Sequence, residues 1–125
     1  VSGNYKFHNH EGLYFVSFAV AKWLDVFSRN EYKDILIESL SNCQNKKGKE
    51  IMAWCIMTNH INLVFRCICP ERPEQVLGDL KRYTSNQIVK AIKENRRKNR
   101  KEFMLGHFKN AAKNSSIVNH HQLWR

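Results

Sequence analysis

Ile51-Met52-Ala53-Trp54-Cys55-Ile56-Met57-Thr58-Asn59-His60-Ile61-Asn62-Leu63-Val64-Phe65-Arg66-Cys67-Ile68-Cys69 is the stretch that decides the fold. Two apolar runs of strand length flank Thr58-Asn59, a connection of two residues. So short a loop can only return the chain antiparallel, as a hairpin. Side chains alternate across a strand, so Ile61, Leu63, Phe65 and Cys67 share one face of the second run. His60, Asn62, Val64, Arg66 and Ile68 share the other. The first set is wholly apolar and is expected to meet helices; the second carries the polar groups and is expected to stay open. His60 and Asn62 therefore project together from a rigid strand, as two donors of a divalent-metal site would.

Working outward, Gly12 to Ala21 is aromatic and β-branched and predicts a buried strand. Ser28-Arg29-Asn30-Glu31 has capping-box spacing. The helix expected after it carries Tyr32, Ile35, Leu36, Ser39, Leu40 and Cys43 on one stripe. Asn45 to Lys49 reads as a loop. After Pro70-Glu71-Arg72-Pro73, a second helix is predicted from Glu74. Its stripe is Val76, Leu77, Leu80, Tyr83, Thr84, Gln87, Ile88, Ala91 and Ile92. Asn95 to Arg100 reads as a basic turn, and Lys101 to Lys113 as a third helix with Phe103, Met104, His107, Phe108 and Ala111 on one side. His120 to Arg125 reads as the start of another strand. The order β-α-β-β-α predicts a ferredoxin-like α+β sandwich, an antiparallel sheet with helices on one face.

The 125 residues suit one domain with one core. The apolar runs are too short to span a bilayer, so no membrane role is expected. Val1 to His10 shows no signal-peptide pattern, and the cytoplasm is the expected location. Cys43, Cys55, Cys67 and Cys69 lack the paired loop spacing of zinc knuckles and read as thiols of a reducing compartment. The formal charge is +10, and Lys81 to Lys113 supplies most of it: eleven Lys or Arg against Glu94 and Glu102, a net +9. So concentrated a field suits a polyanion partner, although solvated basic faces without one are common.

Met57-Thr58-Asn59-His60-Ile61-Asn62 resembles the Met-x-Asn-His-hydrophobic-His signature of the HUH tyrosine transposases, the enzymes of simple insertion sequences and REP-associated relatives. Gly12 to Phe18 is similar to their first strand. Asp79-Leu80-Lys81-Arg82-Tyr83-Thr84-Ser85 resembles their Lys-x-x-Thr-Ser helix segment, and Gln122-Leu123-Trp124-Arg125 their Trp-containing segment. The resemblance implies one ferredoxin-like DNA-processing domain over residues 1–125. It implies transposition chemistry, in which single-stranded or hairpin DNA is cleaved and rejoined through a metal-assisted phosphotyrosine. It implies a homodimer and Mg²⁺ or Mn²⁺ held by His60 and by Asn62, which stands in the second histidine's place. An amide oxygen serves hard ions but is a weaker donor than imidazole, so weakened binding is expected.

The family's nucleophilic tyrosine is expected beyond Arg125, which reads as truncation or degeneracy. Tyr83 is the candidate substitute, although its spacing from Val76 and Leu80 favours packing. DNA contacts are expected from Lys81, Arg82, Lys90, Arg96, Arg97, Lys98, Arg100 and Lys101, with hydroxyls from Thr84 and Ser85. Trp23 and Trp124 are candidates for stacking on unpaired bases; core packing is as good a reading for Trp23 and Trp54. The competing readings are a remnant that only binds DNA hairpins and a ferredoxin-like RNA-binding module. The latter needs aromatics on the open face.

Overall fold

The computed structural model describes residues 12–45, 49–67, 72–95, 98–113 and 122–125, with the side chains of residues 98, 99 and 113 left aside. Three strands, β1 (Tyr14–Ala19), β2 (Lys49–Ile56) and β3 (His60–Cys67), form one antiparallel sheet in the order β1-β3-β2. The hairpin closes across Thr58-Asn59, where the Met57 amide donates to the His60 carbonyl at 2.8 Å. Helices α1 (Asn30–Asn45), α2 (Pro73–Glu94) and α3 (Lys98–Lys113) complete an α+β sandwich. Near the end of the chain, Trp124 bridges antiparallel to Val20. The Ala21 amide donates to the Leu123 carbonyl and the Arg125 amide to the Ala19 carbonyl, at 2.6 and 2.7 Å. The last residues thus run beside the end of β1, on the edge away from β3.

The alternation of β3 decides which face is covered. Ile61, Leu63, Phe65 and Cys67 are all buried, with Val16 and Phe18 of β1 beside them. Leu36 and Leu40 of α1, Leu77, Leu80 and Ile88 of α2, and Met104 and Phe108 of α3 join the same core. Burying an aliphatic or phenyl side chain contributes about 1.5–3 kcal/mol, so this face supplies most of the folding drive. His60, Asn62, Val64 and Arg66 are half-buried on the open face.

Several local expectations differ. The Ser28 hydroxyl donates to the Asp25 carbonyl inside a 3-10 turn (Val26–Ser28), and α1 starts at Asn30 with Arg29 accepting its first bonds. A β-bulge at Met52 interrupts the β2–β3 ladder, shifting the register between Ile51 and Ala53. The third helix begins at Lys98, within the stretch read as a turn, and Arg100 in its first turn pairs with Asp25. Trp54 is 49% exposed on the edge strand, and Trp124 is buried between Phe18 and Phe27, the reverse of their expected roles. The expected strand positions 68 and 69 and the expected pair His120-His121 lie outside the described residues.

Candidate functional site

His60 begins β3 immediately after the hairpin, and backbone contacts from two sides pin that hairpin. The Val20 amide donates to the Asn59 carbonyl and the Phe27 amide to the Thr58 carbonyl, both at 2.9 Å. His60 therefore stands on a fixed corner of the sheet. Its Nδ1 lies 2.9 Å from Asn59 Oδ1. With Nδ1–H donating to that oxygen, Nε2 carries the lone pair and is the nitrogen suited to ligation. Asn62 follows two positions on, half-buried on the same face, with Ser17 opposite on β1 and Cys55 opposite on β2. Met57 joins the same face next to His60.

The donors fit a hard divalent ion in type, though not in charge. An imidazole nitrogen and an amide oxygen are both acceptable, leaving the other positions to water and phosphate oxygens. Among the described residues no group of three or more His, Cys, Asp or Glu could hold a metal ion. Neutral ligands alone predict loose binding.

Tyr83 is not brought to His60. It is 47% exposed on α2, so it leaves the apolar stripe assigned to it. It lines a groove of about 610 Å³ with Ser39, Asn42, Cys43 and Asn86 in the helix layer. The sheet stands between that groove and the open face. Tyr14 pairs with Phe65 on the helix side and Tyr32 is fully buried, so among the described residues no tyrosine shares the face of His60.

Thr84 is also corrected. It is wholly buried, its hydroxyl donating to the Leu80 carbonyl at 2.8 Å and accepting from the Trp124 indole at 2.9 Å. It holds the chain's last residues to α2 and cannot reach DNA. Lys81 is half-buried, its ammonium 5.4 Å from the Phe18 ring centroid, and burial lowers its pKa. Arg100 pairs with Asp25 and lies over Phe103. Arg82 pairs with Asp79 at 2.7 Å but remains largely exposed. Lys90 is exposed, and Ser85 and Lys101 are half-exposed. At about 100° per residue, Arg82, Lys90 and Lys93 lie within one quadrant of α2, Ser85 stands about 60° to the other side of Arg82, and Lys81 about 100° away. Of the basic residues of α2, Lys81 stands off the surface that the other three share. Arg96 and Arg97 lie outside the described residues, as does the side chain of Lys98.

Sequence reasoning missed Phe15, which is 68% exposed on the open face beside Val64. Its even spacing from Tyr14 and Val16 left the outward position readable once the inward face of β1 was known. It also missed the two sulfurs beside His60, although the two-residue turn pairs Met57 with His60 and Cys55 with Asn62.

A protein-family model described as "Transposase IS200 like" matches residues 14–118. No match was found among curated proteins. Among the described residues no helix is long and apolar enough to cross a membrane.

Proposed function

Because the chain belongs to the IS200-like transposase family, with DNA as the partner that membership implies, we propose that it engages single-stranded or hairpin DNA at the open face of its sheet. The observation that carries this reading is the placement of His60 and Asn62 side by side on the central strand. A divalent ion such as Mg²⁺ or Mn²⁺, when bound there, supplies charge stabilisation to a phosphate oxygen. His60 donates from Nε2 and is held in orientation by Asn59. Asn62 adds a hard oxygen without adding charge. Phe15 offers an exposed ring on which one unpaired base can stack, at about 1–3 kcal/mol. Arg82, Lys90 and Lys101 belong to the helix layer and not to the open face, so they supply phosphate contacts, with Ser85 as a neutral one, only to flanking DNA that wraps round the domain. Tyr83 takes no part in phosphoryl transfer. A homodimer is proposed on family membership alone, and a sedimentation mass equal to one chain at micromolar concentration counts against it.

The test is fluorescence anisotropy of a labelled, hairpin-flanked oligonucleotide with Mn²⁺. Hairpin-flanked single strands are expected to compete better than blunt duplex or single-stranded RNA. His60→Ala is expected to remove the Mn²⁺-dependent part of binding and leave the rest. Preference for RNA would favour a ferredoxin-like RNA-binding module, and equal affinity for duplex would remove the single-strand reading. If a gel-stable covalent adduct forms, Tyr83→Phe is expected to leave it unchanged.

A further inference from the structure

Two sulfurs stand beside His60. Cys55 Sγ lies 3.7 Å from Met57 Sδ. Cys55 is exposed and Met57 is 45% exposed, so both are open to solvent. The register fixes their neighbours: Cys55 pairs with Asn62, and the Met57 amide bonds the His60 carbonyl. Directly opposed residues in an antiparallel pair hold their Cβ atoms about 4.5–5.5 Å apart. Cys55, Met57 and His60 therefore crowd one corner of the open face.

We propose that Cys55 Sγ, Met57 Sδ and His60 Nε2 form a binding site for a soft monovalent ion, Cu(I). The separation of the sulfurs suits it. Two sulfurs each about 2.3 Å from one ion, at an angle between tetrahedral and trigonal, stand about 3.8–4.0 Å apart, within a small side-chain adjustment of the contact seen. The donor type selects the ion. A thioether is a soft ligand that favours Cu(I), while Mg²⁺ and Mn²⁺ want oxygen. Structural zinc wants four thiolate or imidazole donors, which this corner does not offer. The Asn59 bond to Nδ1 fixes the ring as a ligating histidine requires. On binding, the Cys55 thiol forms the sulfur–copper bond and gives its proton to water; copper stays Cu(I) throughout. Cys67 is buried on the opposite face and Cys43 lies in the helix layer, so neither joins the site. The inference shares His60 with the proposed DNA site but does not depend on it, and its test contains no DNA.

The reduced full chain is titrated anaerobically with Cu(I) against a chromophoric Cu(I) chelator, and the complex is examined by copper X-ray absorption. The expected result is one Cu(I) per chain bound through two sulfurs and one nitrogen. Cys55→Ser and Met57→Leu are each expected to weaken binding at least tenfold, and His60→Gln to remove the nitrogen scatterer. Cys43→Ser is expected to bind as the unaltered chain does. All these positions are at least partly exposed, and thermal melts check that each variant is folded. Unchanged affinity in Cys55→Ser or Met57→Leu would overturn the site and leave the sulfur contact as a weak thiol–thioether hydrogen bond. So would a copper shell without nitrogen.

Discussion

At His60 one hydrogen bond bears on the proposed chemistry, because with Nδ1–H donating to Asn59 it is Nε2 that would bind. The weaker of the proposed ligands is Asn62. Exchanging an amide for an imidazole adds a stronger donor toward transition metals. Outer-shell changes alone move metal affinity by about 10–100-fold, so Asn62→His is expected to tighten Mn²⁺ by about tenfold or more. Electron paramagnetic resonance of free Mn²⁺ reads this directly, and unchanged affinity would mean that position 62 is not a ligand. Thr84 carries the opposite lesson. The sequence placed its side chain both on the apolar stripe of α2 and among the DNA-contacting hydroxyls; the structure keeps the stripe, where Thr84 is a buried link between α2 and Trp124. Thr84→Val keeps the shape but leaves the indole N–H without its acceptor. Stability should fall by about 1–3 kcal/mol in a denaturant titration.

Elements meet through polar joints as well as through the core. Asn95, just past the end of α2, donates from Nδ2 to the Tyr32 hydroxyl at 3.0 Å and to Glu31 at 3.1 Å, tying α2 to α1. Burial raises the Tyr32 phenol above its ordinary pKa of 10.0. The unfolded chain therefore releases this proton first as the solution turns alkaline. The Tyr32 contribution is fully present below pH 10.0 and is lost as pH rises through the higher folded value. Lys81 works the other way, since its lowered pKa means that burying its charge costs stability until the ammonium deprotonates. The difference in stability between the unaltered chain and Tyr32→Phe isolates the tyrosine. That difference is expected to shift in favour of Tyr32→Phe above pH 10.0, and a flat difference would contradict a buried, protonated phenol. Below that pH, losing the Asn95 bond is expected to cost about 1 kcal/mol.

On the scale of the whole molecule, residues 81 to 113 carry a net +9 of the +10 formal charge, while the proposed metal corner is neutral. Phosphate contacts release counterions, so binding should weaken steeply with salt, by a slope of about 0.7 per phosphate for a single strand. Lys90→Gln is expected to lower the slope by about that amount and weaken all sequences alike. Lys81→Gln is expected to lower the slope less, because Lys81 is half-buried against Phe18 while Lys90 is exposed. Equal effects from the two substitutions would show that burial does not sort the basic residues. The sequence by itself determined the hairpin, the apolar face of β3, the helices and the joint placement of His60 and Asn62. These follow from local rules: a two-residue turn, period two in strands and period 3.6 in helices. Only the tertiary structure decided that Tyr83 and His60 lie on opposite sides of the sheet, that Thr84 bonds Trp124, and that Lys81 is half-buried against Phe18. The two-residue turn pairs Met57 with His60 and Cys55 with Asn62, so the place of the sulfurs beside His60 was legible too. What the Met52 bulge decides is the strand before it: it turns Ile51 to the helix side opposite Phe65, where plain alternation from Cys55 would turn it outward. Its position depends on which residue of β3 it meets, a long-range pairing that no local pattern encodes.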